Sequence, residues 1–302
     1  MTSTPSRRRR VRWMLRILGI AALLGIGLWL RTLPATTSAS GLAHWWPWTR
    51  STAVTLYFVD GQFLFPVSRR MPANDNLPRA VLQALLDGPR AGAGLQPSVP
   101  SGVQIRSIQL ADGAAHLDLS AAFLKKDAGL SMAQTAVVDT MTALPGVASV
   151  TLSVEGKLIA ESARRIPLLY YPSAKGLVAV PGSAADPRPA LAAYLSGPGD
   201  SKLTGFPSDV RLLNYAYEPV DRRLALNFTY SPSVRTLALE RPERMRTLLL
   251  GLIATLTEFP EVRTVQMDFQ GQTRLGLGQC SDLLRTPQPR PQLLNDERLL
   301  ER

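Results

Sequence analysis

The residues that could carry chemistry are few, and their spacing suits it poorly. The chain of 302 residues has two histidines, His44 and His116, and one cysteine, Cys280. His116, Asp118 and Ser120 are the residue types of a base, an orienting acid and a nucleophile. Two apart in a strand, they line up in a row on one face, and no Gly-x-Ser-x-Gly elbow exposes a nucleophile. Asp112, Asp118, Asp127 and Asp139 are scattered acids that suit solvated turns and faces. No Cys pair, His-x-x-x-His or Asp-rich loop suggests a metal site. The glycine-rich stretch from Asp87 to Gly94 follows a helix pattern instead of opening one, so it reads as a helix stop and not as a phosphate loop. Cys280 has no partner for an intramolecular disulfide and reads as a small, semi-buried residue. The expectation is a chain without catalytic, cofactor-binding or metal-binding residues, and not an enzyme.

The elements that would hold these residues are written twice. Thr140-Met141-Thr142-Ala143-Leu144-Pro145-Gly146-Val147 recurs 115 residues later as Thr255-Leu256-Thr257-Glu258-Phe259-Pro260-Glu261-Val262. Shorter words recur in the same order. Leu56-Tyr57-Phe58 matches Leu169-Tyr170-Tyr171, Gly88-Pro89 matches Gly197-Pro198, and Leu117-Asp118-Leu119-Ser120 matches Leu226-Asn227-Phe228-Thr229. Period and punctuation give β-β-α-β-β-α-β in each copy. A hairpin turns at Asp60-Gly61, and a helix begins near Asp75 or Asn76 with Pro78 in its first turn. Its stripe is Val81, Leu82, Leu85 and Leu86; the second copy uses Leu191, Tyr194 and Leu195 after Asp186-Pro187. Strands follow around 103–110 and 114–119, then a helix over 132–144 and a closing strand. That helix buries Ala133, Val137, Val138, Met141 and Leu144, matched by Leu248, Leu252, Ile253, Leu256 and Phe259. The fold class is α+β, with two tandem domains at 51–158 and 164–274, each a small sheet with two helices on one face and its own core. His116 alternates with core positions and points to solvent; the second copy has Ala225 in its place.

The front end reads as a membrane device. Residues 1–50 hold eight arginines and no acid, so they account for most of the formal charge of +11 and leave +3 for the rest. A body so mildly basic does not suggest nucleic-acid binding. Residues 1–12 form a basic cytoplasmic segment and 13–33 a signal anchor, with Arg16 and Arg31 able to snorkel. The alternative is a signal peptide cleaved near Ser38 to Ser40, which would release a secreted body. Residues 34–50 form a linker with Trp45, Trp46 and Trp48, suited to the outer leaflet, to packing on the first domain, or to a glycan. Residues 285–302 are a Pro-rich tail ending in a short helix, frayed unless docked on the body or a partner.

Taken as an ordered set, the strand word at Leu56, the helix stop at Gly88-Pro89, Pro100-x-x-Val103, Leu117-Asp118-Leu119-Ser120, and Thr142-x-Leu144-Pro145-Gly146-Val147 running to Glu155-Gly156 resemble the GerMN (sporulation and spore germination) domain. The second copy is similar but replaces the Asp-Leu-Ser word with Asn227-Phe228-Thr229, so differences there mark where specific contacts should be sought. The resemblance implies an exported, membrane-tethered, non-catalytic protein; tandem members resemble ring-building domains of secretion-like channels. This chain lacks the lipidation cysteine of single-copy lipoprotein relatives. The leading expectation is an envelope scaffold in the bacterial cytoplasmic membrane, N-terminus inside and body outside, that binds an envelope membrane protein or associates with itself and contacts no nucleic acid. A module that binds peptidoglycan or another envelope polymer is the alternative. An envelope hydrolase is the weakest reading, because the site constellation is missing.

Overall fold

Elements appear in the expected order, with a strand added at the end of the first copy, a helix inserted before the second helix of the second copy, and further short elements in the tail. In the computed structural model, which describes residues 51–125, 130–271 and 280–300, the first copy comprises β1 (Ser51–Asp60), β2 (Phe63–Pro72), α1 (Leu77–Leu86), β3 (Ile105–Ala111), β4 (Ala114–Leu119), a 3-10 turn (Ala121–Leu124), α2 (Leu130–Thr142), β5 (Ser149–Val154) and β6 (Lys157–Ala163). The second comprises β7 (Leu168–Pro172), β8 (Leu177–Pro181), α3 (Pro187–Ser196), β9 (Leu212–Glu218), β10 (Arg223–Phe228), α4 (Pro232–Glu240), α5 (Pro242–Leu256) and β11 (Thr264–Phe269). The tail supplies α6 (Ser281–Arg285), β12 (Gln288–Pro289) and α7 (Glu297–Leu300). The basic segment 1–12, the anchor 13–33 and the Trp-bearing linker 34–50 lie outside the described residues, as do His44 and Asp127. Among the described residues no helix is long and apolar enough to cross a membrane.

Local chemistry explains the boundaries. Pro78 and Pro187 sit in the first turns of α1 and α3, where a missing N–H costs nothing. Asn76 and Asp186 hold the cap positions without a side-chain cap bond. The expected stripe of the second helix is buried in both copies, from Ala133 to Leu144 and from Leu248 to Phe259. Strands β5, β10 and β11 alternate buried and half-buried residues, as expected for sheets covered on one face.

The strands of one copy do not share one sheet. The described residues form three four-stranded sheets, ordered β1-β2-β8-β7, β3-β4-β5-β6 and β12-β11-β10-β9. The first is composite: hairpins from both copies join where Leu64 pairs with Ala179. Its strands read Val-Thr-Leu-Tyr-Phe-Val and Leu-Leu-Tyr-Tyr, continuous apolar runs suited to burial on both faces. Leu56, Phe58, Leu169 and Tyr171 face the large core, whereas Tyr57, Leu64, Tyr170 and Ala179 face a smaller cluster capped by Ala136 of α2 and Ala254 of α5. The large core runs through both copies, so the expected separate cores are one. In copy two an aromatic chain carries it: Tyr171 stacks on Tyr194 at 4.6 Å, then Phe206, Phe228 and Phe269 follow, each ring 5.6–6.2 Å from the one before. Copy one fills the matching places with Phe58, Leu85, Val99, Leu119 and Val154, all buried. Residues 50–302 form one compact unit.

Candidate functional site: a charged cluster and an open groove between the repeats

The repeated words are consumed in making backbone contacts. Thr140 Oγ1 accepts from the Tyr57 N–H at 3.3 Å, and Thr255 Oγ1 accepts from the Tyr170 N–H at 2.9 Å. Each bond satisfies an outer-edge N–H of the composite sheet, in which β1 and β7 are the edge strands among the described residues. The second threonine of each word, Thr142 or Thr257, donates back to the carbonyl of Val138 or Ile253 at 2.7 Å. The Asp-Leu-Ser word works the same way. Asp118 Oδ1 accepts from Gly156 N at 3.0 Å, and Asn227 Oδ1 accepts from Gly271 N at 3.2 Å. Both glycines sit at φ +75°, a conformation glycine adopts without the Cβ clash. Ser120 and Thr229 accept from Gln104 N and Arg211 N. The substitution of Asn227 for Asp118 therefore changes the charge and keeps this backbone bond, while Asp118 adds an ion pair to Arg106.

His116 is exposed on β4, as its alternation predicts. Asp118 is held by Gly156 and by Arg106 at 3.4 Å, and Ser120 by Gln104, so no relay joins the three. Cys280 is fully buried, with its thiol pushed up to about 11 by that burial, and the sulfur contacts the Pro242 carbonyl at 3.5 Å. Among the described residues no group of three or more His, Cys, Asp or Glu is placed to hold a metal ion. Asp112 turns the β3–β4 hairpin at φ 48°.

The polar residues that the structure does bring together were not apparent as a set in the sequence. Tyr57 and Tyr170, equivalent in the two copies, meet hydroxyl to hydroxyl at 3.1 Å on the inner face of the composite sheet. Arg165, between the copies, donates to Tyr57 Oη at 2.7 Å, Tyr170 Oη at 2.5 Å and Glu258 Oε1 at 2.6 Å. Tyr170 donates to the same carboxylate oxygen at 2.7 Å, which leaves Tyr57 as the donor between the two hydroxyls. Arg290, from the tail, donates to Tyr170 Oη at 3.1 Å and pairs with Glu258 at 2.5 Å. The guanidinium groups lie over the two tyrosine rings, Arg165 on Tyr57 and Arg290 on Tyr170, each 5.5 Å from the centroid. An arginine following each copy thus returns to that copy's tyrosine, although the two are 125 positions apart and lie outside the repeated words.

Burial raises both phenols, Tyr57 well above its ordinary range. Burial also opposes the charge of Arg165, but Tyr170, Tyr57, Glu258 and Asp139 around it outweigh that and hold it cationic. Asp139, in the place of Ala254, is pushed up to about 7 by burial, against the pull of Arg165 and with the push of Glu258. The residue is 2% exposed, and its Oδ2 has no hydrogen-bond partner among the described residues. Copy two carries its acid one helical turn later, at Glu258, where copy one has Ala143.

Asp139 also helps to line a groove of about 260 Å³ with Gln134, Thr135, Val138, Ala163 and Leu168. A second depression of about 190 Å³, floored by Leu64, Met132 and Ala179, shares Thr135, Leu168 and Pro181 with it, making one apolar trough beside α2. Ile166 on the rim is 57% exposed.

The tail is docked. Asn295 donates to the Pro66 carbonyl at 2.6 Å and the Leu177 carbonyl at 2.8 Å, and accepts from Leu177 N at 2.9 Å. The hairpin registers make Pro66–Leu177 the counterpart of the Leu64–Ala179 pair, so this amide replaces the second bridge that β2 and β8 do not make directly. Glu297, 1% exposed, takes both ends of the Arg69 guanidinium at 2.6 Å.

Comparison with known proteins agrees with this geometry. The family model Germane, described as sporulation and spore germination, matches residues 55–160 and 168–274. The tandem GerMN domains of the sporulation protein GerM from Bacillus subtilis superpose with a TM-score of 0.64 at 17% identity, covering 82% of this chain and 99% of that one. The first GerMN domain of that protein alone gives a TM-score of 0.33 at 19% identity, covering 37% and 88%. No curated protein matches.

Proposed function

From the sporulation and spore germination (GerMN) family, to which this chain belongs, we propose a non-catalytic scaffold of the bacterial cell envelope. In this reading residues 13–33 hold the chain in the cytoplasmic membrane, and the paired copies present one rigid surface outside it to a membrane-protein partner or to further copies. The observation that carries the reading is the use made of the repeated polar residues. Thr140, Thr255, Asp118, Asn227, Ser120 and Thr229 all bond to the chain's own backbone. The Tyr57–Tyr170 hydroxyls are sealed at the centre with Arg165 and Glu258. A duplicated catalytic unit would instead present equivalent polar groups to a cleft. Fusion of the copies through the composite sheet favours a platform over two hinged modules.

Crosslinking the full-length protein at native abundance in membranes tests this. Discrete higher-mass adducts are expected, and recovery of monomer alone across crosslinker lengths counts against a scaffold.

A further inference from the structure

The two halves of the molecule have equivalent grooves, and only one is filled. The hairpin registers place Ser68 on β2 where Pro181 stands on β8, and the 115-residue offset places Leu250 at Thr135 and Ala254 at Asp139. Around Ser68, Leu250 and Ala254 lies the tail. Leu294 N donates to Ser68 Oγ at 3.0 Å, the Leu294 side chain joins the apolar cluster that Leu250 packs against, and Arg290 Nη1 donates to the Ala254 carbonyl at 3.0 Å. Around Thr135, Asp139 and Pro181 the corresponding space is the open trough, with no described segment of the chain seated in it.

We propose that this trough docks an extended segment of a partner protein in which a basic residue precedes a pair of aliphatic residues by about three positions. This rests on the scaffold reading and gives its partner a chemistry. The occupied groove supplies the template: Arg290-Pro291-Gln292-Leu293-Leu294 spans about 13 Å if extended, matching a trough that runs from Asp139 past Thr135 to Met132. Charge supplies the specificity. Where the filled groove seats Arg290 on Glu258, the Tyr170 hydroxyl and the Ala254 carbonyl, the open one has Asp139, whose Oδ2 is unpartnered among the described residues. Rotation about the Cβ–Cγ bond, a soft torsion, turns that oxygen toward the trough. The other charged groups facing Asp139 are Arg165 and Glu258 behind it and Arg164 on the rim. A guanidinium or ammonium seated on Asp139 gains a charge-assisted bond that a neutral peptide does not. Val138, Leu168 and exposed Ile166 provide the apolar contact.

The test is a fluorescein-labelled peptide copying residues 286–296 of this chain, titrated by anisotropy into the full-length protein in detergent. Saturable binding is expected. It should weaken at least tenfold in Thr135→Arg, which obstructs the trough, and in Ile166→Asp, whose exposed position leaves folding intact. Asp139→Asn and replacement of the peptide arginine by Gln should each weaken binding about tenfold, without adding when combined. Absence of saturable binding overturns the proposal, as does binding that survives Thr135→Arg and Ile166→Asp but is lost in Leu250→Arg, which would mean exchange with the native tail. If membrane crosslinks to partners persist while the peptide fails, the docking site falls and the scaffold reading stands.

Discussion

Replacing Glu258 with Ala should unfold the protein more readily than any single surface change. Its carboxylate is 5% exposed and takes Arg165 at 2.6 Å, Arg290 at 2.5 Å and the Tyr170 hydroxyl at 2.7 Å. Removing it leaves two guanidinium groups at the centre, one of them only 14% exposed; Asp139, raised to about 7 partly by Glu258 itself, ionises more readily once that carboxylate is gone and offsets part of the loss. Breaking a buried pair by deleting one partner typically costs about 3–5 kcal/mol, since the remaining charge stays desolvated. Arg290 keeps more solvent, at 35% exposure, which argues for the lower half of that range. With a urea m-value of about 3 kcal/mol/M for a body this size, the midpoint should fall by about 1 M. The control is Glu218→Ala, which removes an ion pair to Arg223 whose partners are 42% and 35% exposed; it should cost no more than about 1 kcal/mol. The assay is urea unfolding followed by far-UV circular dichroism at pH 7. A loss below about 1 kcal/mol for Glu258→Ala, or equal losses for the two variants, would refute the claim that the cluster holds the repeats together.

Three further outcomes follow from the same contacts. Asp139 has a folded-state pKa raised to about 7, so the folded protein binds the proton more tightly than the unfolded chain does; stability should fall as pH rises from about 4 through 7, and Asp139→Asn should flatten that part of a melting-temperature profile. Parallel profiles for the two proteins would sink the assignment. Asn295→Ala strands the Pro66 and Leu177 carbonyls and the Leu177 N–H; a loss of about 2–4 kcal/mol is expected by denaturation, and a loss under 0.5 kcal/mol would show that the tail does not staple β2 to β8. Asp118→Asn should be within about 0.5 kcal/mol of the parent because Asn227 performs the same task, whereas Asp118→Ala should cost about 1 kcal/mol; equal effects of the two would contradict the shared role.

Much of the fold was legible because it was written twice. The helical stripe from Ala133 to Leu144 and its counterpart from Leu248 to Phe259 predicted buried faces that the structure has. The closing strand expected in each copy is present, at Ser149–Val154 and Thr264–Phe269. The composite sheet was harder to see. The apolar runs at Val54 and Leu168 suit burial on both faces, yet which strands lie beside them is a long-range pairing that no local pattern encodes. The extra helix α4 begins at Ser231-Pro232, with Ser231 Oγ accepting from Val234 N at 3.3 Å, a cap signal that the repeat alignment masked. The central cluster was hidden for another reason. Arg165 and Arg290 lie outside the repeated words, and Asp139 and Glu258 sit one turn apart in the aligned copies, so comparing the copies presented each as an unmatched residue.

The most direct test of the account is whether the two copies unfold as one body. Hydrogen exchange read by mass spectrometry across a denaturant series separates peptides of α2, in the first copy, from peptides of α5, in the second. The shared core and composite sheet predict one opening free energy, with α2 and α5 losing protection at the same midpoint. Two well-separated midpoints, with one copy protected while the other exchanges freely, would contradict it.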